Sequence, residues 1–416
     1  MPNDMTLTAA AAVPALPAPA PEPRAATLEH ADALAAVQHL NRIRPRRTPI
    51  PALSGVLLEH DGDALRLIAS DLDIWGEALF PGSGGARWAA VVPLESLAKV
   101  LQRTKGKAPG VALEPVDVSA GVAWRVAVVA GRTRVTLDAV AAPRDFPAAP
   151  SGPFPVEVTA PRADVAAVFT RPAFAMSEEE TRHYLRGLYL HAPDAVARAE
   201  SPDPDGRFPL RAVATDGHRL ARLDSALRVS GDPDALAAGH IMPAGAVRVA
   251  GKILAGKAGP DLARLEFGPD VSRVTCGALT LTAKAVAGTF PDYTRVMPAG
   301  DAHLSVDRAE LADAVQAVQI VSDSRSRRVG LDITATGGVA SCSGESGRAE
   351  QAFAAEVVGD GEETATGFNA AYLADVTGAF RESDRLEVTQ TGPGDPARFD
   401  AADDGLSVVV MPMRRN

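Results

Sequence analysis

Short amphipathic helices recur along this chain in pairs, and that recurrence confines it to a threefold architecture. Ala31 to Leu40 places Leu34, Val37 and Leu40 on one face at helical spacing. The same kind of segment returns from Ala163 to Phe169 and from Glu310 to Val318. A second kind follows each at a distance: Leu94 to Gln102 behind Pro93, Ala246 to Leu254 behind Pro243, and Ala370 to Ala379. Proline suits a helix start, where its missing N–H is no loss. The first helices begin near residues 31, 163 and 309 and the second near 94, 244 and 369, so both markers repeat with a period of about 130 residues. That period is far too long for a solenoid, and each copy is the size of a domain.

Short apolar runs fill the intervals. They are 54–59, 64–69, 124–129 and 134–140 in the first copy, then 188–191, 210–214, 273–276 and 279–283 in the second. The third copy has 329–334, 339–343, 398–401 and 406–411. Tight turns such as Gly131-Arg132 make these strands antiparallel, and two helices with such strands read as α+β. Phe146-Pro147 and Phe290-Pro291 close the first two copies. The expected domains are 27–150, 151–298 and 299–416, behind an Ala/Pro-rich tail, 1–26. Pro14, Pro17, Pro19, Pro21 and Pro23 in that tail predict disorder and break any signal-peptide core.

The net charge of −10 argues against nucleic acid only if acids and bases are evenly mixed over the surface. Aromatic residues make up 5% of the chain, so core volume must come from Val, Leu and Ala. Cys276 and Cys342, the two cysteines, suggest a reducing compartment and no disulfide framework. No apolar run reaches the roughly eighteen residues of a membrane span.

The densest polar stretch is Thr215-Asp216-Gly217-His218-Arg219-Leu220, directly after an apolar run. Asp-Gly is a tight-turn dipeptide, so a strand should end before it and His218 and Arg219 should sit at a knuckle. Asp216 and His218 invite a catalytic or metal reading, but neither a nucleophile nor a second ligand lies nearby in sequence. Gly251 to Ala258 is one residue short of a P-loop and has Ala258 where magnesium needs Ser or Thr. Zincin, Cys-x-x-Cys and Gly-x-Ser-x-Gly patterns are absent. The expectation is a non-enzyme without cofactor or metal.

Four stretches carry a resemblance: Glu179 to Leu190, Ala212 to Ala221, Gly288 to Pro298 and Val409 to Arg414. With Phe368 to Tyr372 and the threefold repeat, they resemble the bacterial processivity clamp, the β subunit of DNA polymerase III, over about residues 27–416. The resemblance implies an α+β DNA-clamp fold of three repeated domains. It implies a head-to-tail homodimer, a ring of six domains with helices lining the hole. The partners would be double-stranded DNA, held topologically without sequence reading, and polymerase and clamp-loader subunits, docked through short peptide motifs. An acidic exterior would coexist with a basic lumen. The location implied is cytoplasmic, on the nucleoid, with no membrane contact.

Carried over residue by residue, the partner-peptide site is Leu185, Thr215, Gly217, His218, Arg219, Leu220, Pro291, Arg295, Val296, Val409, Val410, Met411, Pro412, Met413 and Arg414. Leu, Val, Met and Pro would form an apolar trough, and the arginines would orient a carboxylate or carbonyl at its rim. For DNA the resemblance implies Arg47 and Arg182. Charge and placement on or after the second helices add Arg103, Lys105, Lys107, Arg248 and Lys252. At the ring seam Val135 and Leu137 would meet Ile320 and Val321 of a second copy, with Arg325, Arg327 and Arg328 able to pair across it. The chain departs from the family at His183 and Arg186, at Leu94-Glu95 and Ala244-Gly245, where a basic pair is common, and at its last residues Arg415-Asn416. Those departures suit a specialised or secondary clamp; a separate alternative is a clamp-like monomer that binds peptides and never encircles DNA.

Overall fold

The computed structural model describes residues 25–414 except 83, 194–204, 257–259, 302, 323–326, 359–362 and 403. Most of the expected tail, the end of the P-loop-like segment and Arg325 lie outside the described residues. Ala26, the last residue of that tail as read from sequence, opens a strand and is fully buried, pairing with Leu113.

Six α-helices occur among the described residues: α1 (His30–Leu40), α2 (Leu94–Thr104), α3 (Arg162–Thr170), α4 (Ala244–Leu254), α5 (Arg308–Val318) and α6 (Ala370–Ala379). Their starts fall within one residue of the sequence periodicity. α1 packs on α2, α3 on α4 and α5 on α6, so each repeat presents one helix pair. Every helix follows a strand with no intervening loop. Pro93, Pro161 and Pro243 stand at three of these junctions. At two others a side chain caps instead: the Asp307 carboxylate accepts from Glu310 N at 2.9 Å, and the Asn369 carbonyl accepts from Ala371 N at 2.9 Å.

Among the described residues the strands are antiparallel apart from one parallel bridge, Ala89 to Val122. Twenty-one of them join into one sheet because strands pair between repeats. Ile74–Pro81 pairs with Leu279–Lys284, linking the first repeat to the second. Arg219–Gly231 pairs with Leu406–Val410, linking the second to the third. A separate four-stranded sheet carries Arg328–Thr334, Gly337–Gly344, Gly347–Phe353 and Thr364–Asn369. About half of the strands were not read from the sequence, among them Ile74–Pro81 and Gly110–Ser119. The second holds Pro115 and the left-handed Asp117, both of which disguise a strand.

The main core lies between the helix pairs and the sheet and is built chiefly of Val, Leu and Ala. Two smaller clusters sit apart from it. Ala52, Leu57, Val91 and Phe146 form one in the first repeat. Leu185, Val213, Leu220, Ile241, Phe290, Tyr293 and Val409 form the other at the junction of the second and third repeats. Alternation along the strands explains the division: Ala212, Ala214, Ala221, Val408 and Val410 belong to the main core, and Val213, Leu220 and Val409 to the second cluster.

His240 sits next to Ile241, is 3% exposed and packs its edge on Phe267 at 5.8 Å. Burial pushes its pKa down from 6.5 to about 4, against a weaker pull upward from Asp270. The folded state therefore holds the proton less tightly than the unfolded chain. Stability should be unaffected above pH 6.5 and fall as pH drops through the interval to 4, by about 3 kcal/mol in all. Urea unfolding at pH 7 and pH 4 should show a smaller pH-dependent loss in His240→Phe than in the wild type. Equal losses would remove His240 from the acid response.

Candidate functional site

The knuckle read from sequence is a hairpin turn between Phe208–Thr215 and Arg219–Gly231. Gly217 has φ +89, a conformation that favours glycine. Asp216 Oδ1 accepts from the backbone N–H of His218 at 2.9 Å and of Arg219 at 3.0 Å. Thr215 Oγ1 donates to the Arg219 carbonyl at 2.7 Å and accepts from Gly217 N at 3.1 Å. The Asp216 carboxylate thus holds the turn. It makes no dyad with His218, whose ring stacks on Tyr372 at 6.4 Å.

Arg219 is not the open rim cation that its position suggested. Its guanidinium pairs with Asp216 at 3.1 Å and with Asp375 of α6, and lies over the rings of Tyr372 and Phe174 at 4.7 and 5.6 Å. Only 15% of its side chain is exposed. Two carboxylates already satisfy its charge, so it clasps the second repeat to the third. Arg295 is the cation that stays at the rim: it pairs with Asp292 at 2.9 Å with its side chain 82% exposed. The bonds from Thr294 and Arg295 hold the Asp292 carboxyl below its ordinary pKa.

The second apolar cluster gathers residues expected of the trough, buried in one place. It brings together Leu185, Leu220 and Val409, with Val296 packed against them. Thr215 is half-buried at the edge, and Gly217 and Pro291 are exposed there. Val410 faces the main core instead, away from the trough. The segment after it supplies the accessible wall: Met411, Pro412 and Met413 are half-buried and Arg414 is exposed. Met411 N donates to the His218 carbonyl at 2.9 Å and Met413 N to the Gly367 carbonyl at 2.7 Å, which seat this segment between the two repeats. The Arg414 carbonyl accepts from Arg328 at 3.2 Å.

Sequence reasoning missed Tyr189, Ile241, Phe290, Tyr293 and Tyr372. The Phe290-Pro291-Asp292-Tyr293 run was the available signal for two of them.

Of the basic residues, Arg47, Arg103, Lys105, Lys107, Arg248 and Lys252 are exposed. Arg103 and Lys105 stand at the end of α2, Lys107 follows, and Arg248 and Lys252 project from α4. α6 carries Asp375 and no basic residue. Arg248 also lines a groove of about 640 Å³ with Phe174, Glu179, His218 and Tyr372. Arg182 is exposed as well; it pairs with Glu179 at 3.2 Å, and its guanidinium is 3.0 Å from where a Cβ on Gly217 would stand. It therefore borders the hairpin turn.

Leu137 is buried and Val135 half-buried on Thr133–Asp138, which pairs only with Val122–Ala130 among the described residues. Ile320 is 80% exposed and Val321 half-buried. Beside them, Gly347–Phe353 pairs only with Gly337–Gly344 among the described residues. Two open sheet edges thus lie in the first and third repeats.

Comparison with known proteins bears on this arrangement. Residues 159–292 match the family described as DNA polymerase III beta subunit, central domain, and residues 294–414 its C-terminal domain. The beta sliding clamp of Caulobacter vibrioides is 33% identical over 402 residues, covering 93% of this chain and 99% of the relative. That of Escherichia coli K12 is 29% identical over 401 residues, with 93% and 99% covered. The solved sliding clamp of Bartonella birtlesii, bound to griselimycin, superposes with a TM-score of 0.79 at 29% identity, covering 94% of this chain and all 100% of that one.

Proposed function

We propose a function on one premise: the chain belongs to the DNA polymerase III beta subunit family, the beta sliding clamps. It has the α+β fold of that family and is a non-catalytic processivity subunit. Membership implies DNA and a polymerase as partners.

Beyond that, the protein acts as a head-to-tail homodimer whose six domains, 27–150, 151–298 and 299–416 from each copy, close round duplex DNA. The helix pairs face the duplex. The exposed cations Arg47, Arg103, Lys105, Arg248 and Lys252 make weak phosphate contacts that let it slide. Arg182, next to the hairpin turn, contributes from the edge of that surface. The trough holds short apolar peptide segments of polymerase and clamp-loader subunits. Leu185, Leu220 and Val296 form its floor, Met411 to Met413 one wall, and Arg295 the rim charge. The protein works in the bacterial cytoplasm, on nucleoid DNA.

The observation that carries this reading is the apolar cluster that collects Leu185, Leu220, Val296 and Val409 from distant parts of the chain beside a half-buried Met-Pro-Met segment. Burying one Leu or Phe of a partner is worth roughly 1.5–3 kcal/mol, so two anchors less the cost of ordering give about micromolar binding. That is weak enough for partners to exchange.

The test of the ring is retention on circular DNA. The protein is loaded on a nicked circle with a cognate loader and ATP, and washed in high salt. The circle is then cut. Retention before the cut and release after it are expected. Loss in salt from the intact circle, with the loader shown competent on a known clamp, would mean that DNA is not held topologically.

A further inference from the structure

We propose that a half-buried chain of polar contacts, Tyr293–Arg211–Asp224–Arg222–Ser407, sets the separation of the trough's two walls, and that Tyr293 is a positioning residue for partner binding. The inference rests on the trough being the partner site.

One wall is the short helical turn Tyr293–Val296, which carries Arg295 and Val296 and follows Pro291. Asp292 caps it. The turn docks through rings: Phe290 stacks on Tyr189 at 4.6 Å, and Tyr189 on His191 at 4.8 Å. Stacking fixes the height of the segment but allows it to slip sideways. The Tyr293 hydroxyl removes that freedom. Arg211 Nη1 donates to it at 3.2 Å, and it lies 3.1 Å from His191 Nε2. His191 Nδ1 is 2.8 Å from the Ala192 carbonyl, which can only accept. In neutral His191 the proton is therefore on Nδ1, so the Tyr293 hydroxyl donates to Nε2. One oxygen thus accepts from Arg211 and donates to His191, a geometry that a displaced turn would lose.

The other wall belongs to the strand Leu406–Val410, whose continuation is Met411 to Met413. Arg211 Nε donates to Asp224 Oδ1 at 2.5 Å. Asp224 Oδ2 lies 3.2 Å from Arg222 Nε, an ion pair without hydrogen-bond geometry, and Arg222 Nη2 donates to Ser407 Oγ at 3.4 Å. Hydrogen bonds and one ion pair thus lead from the turn, across two strands of the second repeat, to the strand of the third.

The first repeat separates this chain from the needs of the fold. There Phe146-Pro147 also closes over an outer cluster, and Trp75 Nε1 donates to the Pro147 carbonyl at 3.1 Å. Ala148-Ala149 follow where the second repeat has Asp292-Tyr293. The closing segment docks in that repeat without an equivalent of Tyr293. The polar chain is present where the trough is.

The test uses the full-length protein and a fluorescein-labelled peptide with Leu and Phe anchors. Tyr293→Phe keeps the ring and its stacking. It should weaken the peptide about three- to tenfold, the effect of leaving the turn in its binding position only about a tenth to a third of the time, with a small drop in the thermal midpoint and unchanged DNA retention. Arg222→Met, at the far side of the chain, should weaken it similarly. Because both break one chain, the double variant should be no weaker than the worse single one, whereas independent sites would multiply. Met413→Asp serves as the direct-contact control. If the control abolishes binding while Tyr293→Phe binds as wild type, or the two losses multiply, the positioning role is wrong and the trough stands. If Tyr293→Phe lowers only the thermal midpoint, the residue is merely structural and the proposal is overturned. If Met413→Asp binds normally, the trough reading falls and this inference with it.

Discussion

Replacing Met411 and Met413 together by Asp should lower affinity for an apolar partner peptide by at least about a hundredfold. Each Met is half-buried in the free protein, with the rest of its surface open to be covered. Covering a Met side chain is worth up to roughly 1.5–3 kcal/mol, and the pair therefore accounts for much of a micromolar interaction. Aspartate loses that gain and adds a carboxylate that must be desolvated when the peptide docks. The substitution spares the segment's own seating, because the bonds to the His218 and Gly367 carbonyls come from backbone N–H groups that Asp retains. Fluorescence anisotropy with a labelled peptide checks the affinity, and sedimentation checks that dimer mass is unchanged. Wild-type affinity in the double variant would mean that Met411 to Met413 is not a wall of the site.

What the sequence could reveal of this site depended on how local each signal was. Helix starts were legible to a residue because Pro93 and Pro243 mark them and the apolar spacing that follows is strict. Alternation in the last strand turns Val408 and Val410 inward and Val409 to the opposite face, which removes Val410 from the trough although the resemblance had placed it there beside Val409. The fate of Arg219 was not legible. Its second partner, Asp375, is 156 residues away, and nothing near Arg219 says that its charge is already taken. The neighbourhood of Arg182 was not legible either, because the fold lays it beside Gly217, thirty-five residues on. Tyr293 read as one aromatic in a short motif, because Arg211, Asp224 and His191 meet it only once three strands are in register. Periodicity encodes which face a residue takes. It does not encode which charged groups converge on that face.

In the proposed two-copy ring, Ile320→Arg should convert dimer to monomer at concentrations where the wild type stays closed, and abolish retention on circular DNA. Ile320 is 80% exposed, the most open large hydrophobic residue among the described ones, and it stands beside the open edge Gly347–Phe353. A second open edge, Thr133–Asp138, carries Val135 and Leu137 in the first repeat. A head-to-tail pair that closes on itself has two identical seams, so one substitution acts twice. Losing roughly 1.5–3 kcal/mol of apolar burial at each seam raises the dimer dissociation constant by about two to four orders of magnitude. The trough is built from residues of a single chain, and the monomer should therefore keep wild-type peptide affinity while losing the circle. Sedimentation equilibrium, peptide anisotropy and circle retention on one preparation separate the two properties. An unchanged dimer constant would place the seam elsewhere. A monomer that still stays on the intact circle in high salt would mean that closure of a two-copy ring is not what holds DNA.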